Sequence, residues 1–176
     1  ERSFFDGSCQ WIRDEWTFLA NPENGHLTAV LRIKDIHSRK QAEQQLIQAA
    51  QTDELTGLLN RTAASDSSHA YLAGEGADGN HAVFIITLDD FKEVNNTFGP
   101  QAGDILLCEI AASIKDCFSE MDVVGRTSGV EFFVLAKDIP SKKAAMNRAK
   151  MVLDVLRNIY ASRTTAIGSA SIGISM

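Results

Sequence analysis

The run Ala82-Val83-Phe84-Ile85-Ile86-Thr87-Leu88 constrains this chain more than any other stretch. Nearly unbroken apolar character over a strand's length marks a central strand covered on both faces, and Asp89-Asp90 ends it abruptly. A second element, Arg126-Thr127-Ser128-Gly129-Val130-Glu131-Phe132-Phe133, sets a tight turn at Ser128-Gly129 between the runs Asp122-Val123-Val124 and Phe132-Phe133-Val134-Leu135, the local signature of a β-hairpin. One strand thus ends in acids and amides, and the hairpin carries Glu131. Side by side, the two point to a nucleotide site.

The flanking segments read as helices. Asn60 can cap a helix from Arg61 to about Leu72, and Gly74 to Asn80 is a flexible loop. A helix from Phe91 to Phe98 follows the central strand. Gly103-Asp104 opens a longer one with Leu106 or Leu107, Ile110, Ile114 and Cys117 on one face. Pro140-Ser141 starts another, whose Ala145, Ala149, Val152, Leu156 and Ile159 repeat at helical spacing. Strands and helices of these lengths predict an α/β (α+β) layer fold, a mainly antiparallel central sheet flanked by helices.

Ahead of this lies a different pattern. Gln10 to Leu19 and Leu27 to Ile36 read as two strands joined by the turn residues Asn21-Pro22-Glu23-Asn24-Gly25, and the alternation of Trp16 and Phe18 with Val30 and Arg32 suggests one buried and one wet face. A lone hairpin is marginal in water, so it is expected to lean on a neighbour and to bind no cofactor. Residues 38–52 lack glycine and proline and place Leu46, Ala49 and Ala50 at helical spacing, the mark of a connecting helix. Such a helix serves either as a solvated spacer or as a short parallel coiled coil.

With 17 basic and 23 acidic residues the net charge is -6, which argues against a nucleic-acid partner. No apolar run approaches the roughly 18 to 20 residues of a membrane span, and no signal-peptide pattern opens the chain, so a cytoplasmic setting is expected. Cys9, Cys108 and Cys117 form no ligand spacing and read as free thiols. The chain starts on Glu1 and stops inside a strand pattern at Met176, as a fragment would, and missing segments can carry a membrane anchor or a further domain.

Four blocks carry a family resemblance. Asp53-Glu54-Leu55-Thr56-Gly57-Leu58-Leu59-Asn60-Arg61 resembles the D-x-L-T-G-L-x-N-R opening of the GGDEF domain, the diguanylate cyclase family that makes cyclic di-GMP. Phe91-Lys92 and Asn95, followed by Gly99, Gly103 and Asp104, are similar to its F-K-x-I-N-D-x-x-G-H-x-x-G-D, and Ser171-Ile172-Gly173-Ile174 to its late S-I-G-I strand. The hairpin departs from G-G-D/E-E-F and reads Ser128-Gly129-Val130-Glu131-Phe132. The resemblance implies a ferredoxin-like nucleotidyl-cyclase palm over residues 53–176, C-terminally truncated. Residues 1–37 resemble the C-terminal hairpin of a PAS sensor domain, with Asp35-Ile36-His37-Ser38-Arg39-Lys40 close to its exit motif, and 38–52 is then the signalling helix.

The same resemblance places functional residues. The family's two magnesium-ligating carboxylates fall on Thr87 and Val130, a neutral hydroxyl and a side chain without oxygen, which argues against magnesium. Asp89, Asp90 and Glu131 remain as candidates for a displaced metal, although Asp89 and Asp90 can instead cap the Phe91 helix. Asn95 and Asp104 match the guanine contacts, with helix capping as the alternative for both, and Lys92 matches a phosphate contact. Gly129 is retained and keeps the hairpin tight enough for a base to approach. The product-binding R-x-x-D has Asp122, but Ser119 in place of arginine.

The sequence therefore predicts a degenerate GGDEF module without catalysis, a regulatory domain with GTP as candidate ligand in a bacterial cyclic di-GMP signalling protein. An active cyclase with a rearranged metal site and a purely structural dimerisation module are the alternatives. A homodimer through the linker helix or the PAS part and a C-terminal phosphodiesterase (EAL) domain in the full-length protein are the expected partners.

Overall fold

A computed structural model describes residues 2–3, 9–20, 27–163 and 169–176. It divides into two compact units, one up to Ala50 and one from Gln51 to Met176. The turn expected at 21–25 lies outside the described residues.

In the first unit the short strands β1 (Arg2–Ser3) and β2 (Cys9–Gln10) pair, as do β3 (Ile12–Ala20) and β4 (Leu27–Asp35), both antiparallel. The register sets Trp16 opposite Leu31 and Phe18 opposite Ala29, whereas Val30 and Arg32 face Thr17 and Glu15. Successive strand residues point to opposite sides, so Trp16, Phe18, Leu31 and Ile33 share one face and Val30 and Arg32 the other. Trp16, Phe18 and Ile33 are all exposed. Helix α1 (His37–Gln51) follows, its first turn capped by Asp35, whose Oδ1 accepts from the His37 amide at 2.8 Å. Leu46 and Ile47 stand exposed on it.

The second unit is a five-stranded sheet. Its strands are β5 (Leu59–Asn60), β6 (Ala82–Asp89), β7 (Val123–Ser128), β8 (Glu131–Ala136) and β9 (Ser169–Ser175), in the order β5-β7-β8-β6-β9. Among the described residues only β5 and β7 run parallel, as the mainly antiparallel expectation required. The helices are α2 (Arg61–Ala73), α3 (Phe91–Phe98), α4 (Pro100–Asp116) and α5 (Lys142–Arg163).

The two faces of β6 are covered unequally. Phe84, Ile86 and Leu88 join Phe132 and Val134 of β8 in a sealed core with Leu106, Leu107, Ile110 and Ile114 of α4 and Ala145, Ala149, Val152 and Leu156 of α5. On the other side Val83 and Phe133 are only half-buried, against Ala64, Val123 and Leu135. A cavity of about 320 Å³ opens there between α2 and the sheet. The expected cover on both faces is present but uneven, with α2 lying on this side.

Two boundaries also shift. Helix α4 starts at Pro100 rather than at Gly103, because proline at the first helical position has its φ preset and needs no amide partner. The hairpin turn is Gly129-Val130 rather than Ser128-Gly129, since Ser128 pairs with Glu131. Gly125, where β7 passes under α2, has no room for a side chain: a Cβ would lie 2.7 Å from that of Ala64 and 2.9 Å from the Leu59 carbonyl oxygen.

Ile86 is fully enclosed, so Ile86→Ala should lower the unfolding free energy by about 2 to 5 kcal/mol in urea melts. Gly125→Ala should cost about 1 to 3 kcal/mol by overpacking. An Ile86→Ala loss below that of an exposed Met121→Ala control would show that the core is misassigned.

Candidate nucleotide site

The site is assembled around Arg126 on β7. Its Nη1 donates to Asp53 Oδ1 at 2.9 Å, and Nε and Nη2 both donate to the Gly129 carbonyl, at 3.1 and 2.6 Å. Asp53 Oδ1 also accepts from the Thr56 amide and hydroxyl, at 2.9 and 2.6 Å. Burial alone would raise the Asp53 carboxyl, but Thr56 and Arg126 outweigh it, and the group lies below its ordinary value. The opening D-x-L-T-G block thus holds the hairpin from beneath.

The hairpin is not closed by a primed turn, for neither Gly129 nor Val130 has a positive φ. An extra residue, Thr127, bulges from β7 between Arg126 and Ser128 and absorbs the twist. A Cβ on Gly129 would meet nothing within 4 Å, so no contact within the chain requires glycine there.

Polar side chains form a row where β8, β6 and β9 meet. Thr87 is the cross-strand partner of Glu131 on one side and of Ser171 on the other, and Asp89 is the partner of Ser169. Glu131 Oε1 accepts from the Thr127 hydroxyl at 2.5 Å. Asp89 Oδ2 accepts from Ser169 Oγ at 2.7 Å, and both its oxygens from Ser171 Oγ at 3.1 and 3.2 Å. Asp89 is therefore committed to β9 and does not cap α3. Asp90 occupies the cap position with a left-handed backbone, φ 53°, and makes no side-chain capping bond. The capping role expected of this pair is overturned, because sheet hydroxyls lie within reach of Asp89 and the αL backbone of Asp90 is not the extended one that lets a cap side chain reach back.

Val130 packs half-buried against the main core, and its carbonyl accepts from the Leu88 amide at 3.0 Å. Neither it nor Thr87 can supply an anionic oxygen. Among the described residues no three His, Cys, Asp or Glu side chains come together as a metal site. Asp89, Asp90 and Glu131, the candidates for a displaced metal, do not converge.

Asn95 on α3 lies against Gly103 in the first turns of α4. A Cβ at 103 would sit 1.9 Å from Asn95 Oδ1, and that oxygen is buried with no hydrogen-bond partner. Asp104, Lys92 and Asn96 are exposed on the same pair of helices. Asp122, at the product-site position, accepts from the Ser119 and Lys137 amides, both at 2.8 Å, so it serves as a local cap.

Sequence reasoning missed the roles of Arg126, Thr127, Ser169 and Ser171. The period-two serines of β9 were the available signal.

Sheet and helices in this arrangement form a mixed α/β domain whose hairpin lies beside the acidic end of the neighbouring strand. Residues 50–176 match the model of the diguanylate cyclase GGDEF domain, and the chain belongs to that family. It is 32% identical over 159 residues to the cyclic di-GMP phosphodiesterase NbdA of Pseudomonas aeruginosa, covering 88% of this chain and 19% of the relative. With the cyclic di-GMP phosphodiesterase PdeR of Escherichia coli it shares 35% over 145 residues, covering 81% and 21%. The chain thus spans about a fifth of the length of these relatives. The solved coiled coil and GGDEF domain of DgcB from Caulobacter crescentus, in complex with c-di-GMP, superposes with a TM-score of 0.70 at 20% identity, covering 79% of this chain and 75% of that one. At that identity the likeness is one of fold. No helix among the described residues is long and apolar enough to cross a membrane.

The depressed Asp53 value carries a sign. Stability from this carboxylate is fully present above its unfolded value, about 3.9, and is lost as pH falls through the lower folded value. Arg126→Met should lose about 1 to 3 kcal/mol at neutral pH through its three broken bonds, and its urea midpoint should fall less than wild type's on acidification to about pH 3. Parallel acid profiles for wild type and Asp53→Asn would show that the pair contributes nothing.

Proposed function

We propose that this domain is a catalytically silent GGDEF module that binds GTP and regulates an attached domain of a cyclic di-GMP signalling protein. One observation carries the reading: Asn95, Asp104 and Lys92 share the neighbouring helices α3 and α4, whereas the hairpin and the end of β6 carry Val130 and Thr87 where the family has carboxylates. The Asn95 amide oxygen is buried against Gly103 without a hydrogen-bond partner in the free chain, a cost that a bond gained on turning toward a ligand would relieve. At the other end, Thr87 and Val130 stand where joining two GTP molecules would call for carboxylates holding a divalent ion.

In this reading Asn95 and Asp104 hold the guanine edge, and Lys92 meets a phosphate beside the start of α3. The names of NbdA and PdeR support an attached phosphodiesterase domain, since this chain matches only a part of each. The exposed Leu46 and Ile47 on α1 support a homodimer through that helix, and the coiled coil of the DgcB structure agrees.

Purified protein supplied with GTP and magnesium or manganese should form no cyclic di-GMP above blank, a deficit on the order of a thousandfold or more against an active cyclase. Steady product at micromolar enzyme would sink the reading. By calorimetry GTP should bind about ten- to a hundredfold more tightly than ATP, because adenine leaves the Asn95 and Asp104 groups unpaired. Asp104→Ala should abolish that binding, and equal affinity for ATP would leave only a structural module.

A further inference from the structure

The divalent ion that the family implies does not fit this site, and the groups that stand in its place are visible. Resting on the nucleotide reading above, we infer that the site takes its nucleotide without a metal, because the two carboxylates left in the row are already engaged by hydroxyl groups of neighbouring strands. Those carboxylates act instead as clamps on the sheet.

The row has an ordered chemistry. Glu131, Thr87 and Ser171 are successive cross-strand neighbours on β8, β6 and β9, and Asp89 stands two residues beyond Thr87, opposite Ser169. Each carboxylate accepts from hydroxyls of another strand: Glu131 on β8 from Thr127 in the β7 bulge, and Asp89 on β6 from Ser169 and Ser171 on β9. Three hydroxyl donors thus serve the two carboxylates, bonded at 2.5 to 3.2 Å. Magnesium demands near-octahedral oxygen ligands at about 2.0 to 2.1 Å and sheds water reluctantly. Displacing three charge-assisted hydrogen bonds to reach two carboxylates of different strands, with Thr87 between them contributing no charge, offers it little. Val130 cannot assist, for its side chain packs on the core.

The bonds also have a mechanical effect. Among the described residues β9 lies at the edge of the sheet and pairs only with β6, so the two serine bonds to Asp89 supplement its backbone ladder at the Ser169 end. The Thr127 bond holds the bulge in register with Glu131.

Calorimetry of GTP binding with magnesium, and again with EDTA, tests the first half: the expected Kd is unchanged. A tenfold tighter Kd with magnesium, about 1.4 kcal/mol, overturns it. Absence of GTP binding under both conditions would sink the nucleotide reading, and the inference is then judged on two measurements that need no nucleotide. Manganese should cause no selective NMR line broadening at Asp89, Glu131 or their neighbours, and selective broadening there overturns the loss of the metal site. Ser169→Ala/Ser171→Ala should speed amide exchange along β9 while α4 stays protected. Unchanged exchange in β9 overturns the clamp, and if the double variant fails to fold, Asp89→Asn provides the same comparison.

Discussion

The guanidinium of Arg126 is the joint on which this domain turns. It reaches Asp53 at the entry to the fold and the Gly129 carbonyl at the tip of the hairpin, two points 76 residues apart in the chain. A planar group with donors fanned in several directions can serve both at once; a lysine ammonium lacks that fixed fork. The parallel pairing of β5 with β7 spans only Leu59 and Asn60, too short to hold by its own ladder. It is kept by this bond, by the Asn60 side chain capping α2 at the Ala63 amide, and by the close approach that Gly125 permits.

From that joint the rest follows along β6. Its residues alternate between a sealed face and a half-covered one, and on the half-covered face Val83 and Ile85 give way to Thr87 and Asp89 with no break in the period of two. One strand therefore passes from apolar packing to polar surface within its own length. The position of the site is set by where that transition falls, beside the hairpin on one flank and β9 on the other.

Much of this was legible in the residues. The Asn60 cap, the β6 run and the α5 stripe at Ala145, Ala149, Val152, Leu156 and Ile159 are local signals, and the structure has them all in place. What escaped depends on pairing between distant segments. The Asp89 carboxylate looks like a cap until β9, eighty residues later, supplies two hydroxyls. The one-residue shift of the turn comes from the bulge at Thr127, which no propensity marks. Val130 sits at a hairpin tip, yet its side chain packs against the core. In the first unit, composition alone could not tell which of the β4 residues share a face with Trp16; that is a matter of register.

Gly103 has no polar atom to offer a ligand from a side chain, yet it decides where Asn95 can be. The amide lies in the space a methyl group would fill, so even the smallest replacement would evict it while leaving Asp104 and Lys92 untouched. The placement of Asn95 is therefore exposed to drift at a residue without chemistry: a lineage could displace the amide while every polar side chain around it is preserved, and inspection of polar residues alone would miss the change.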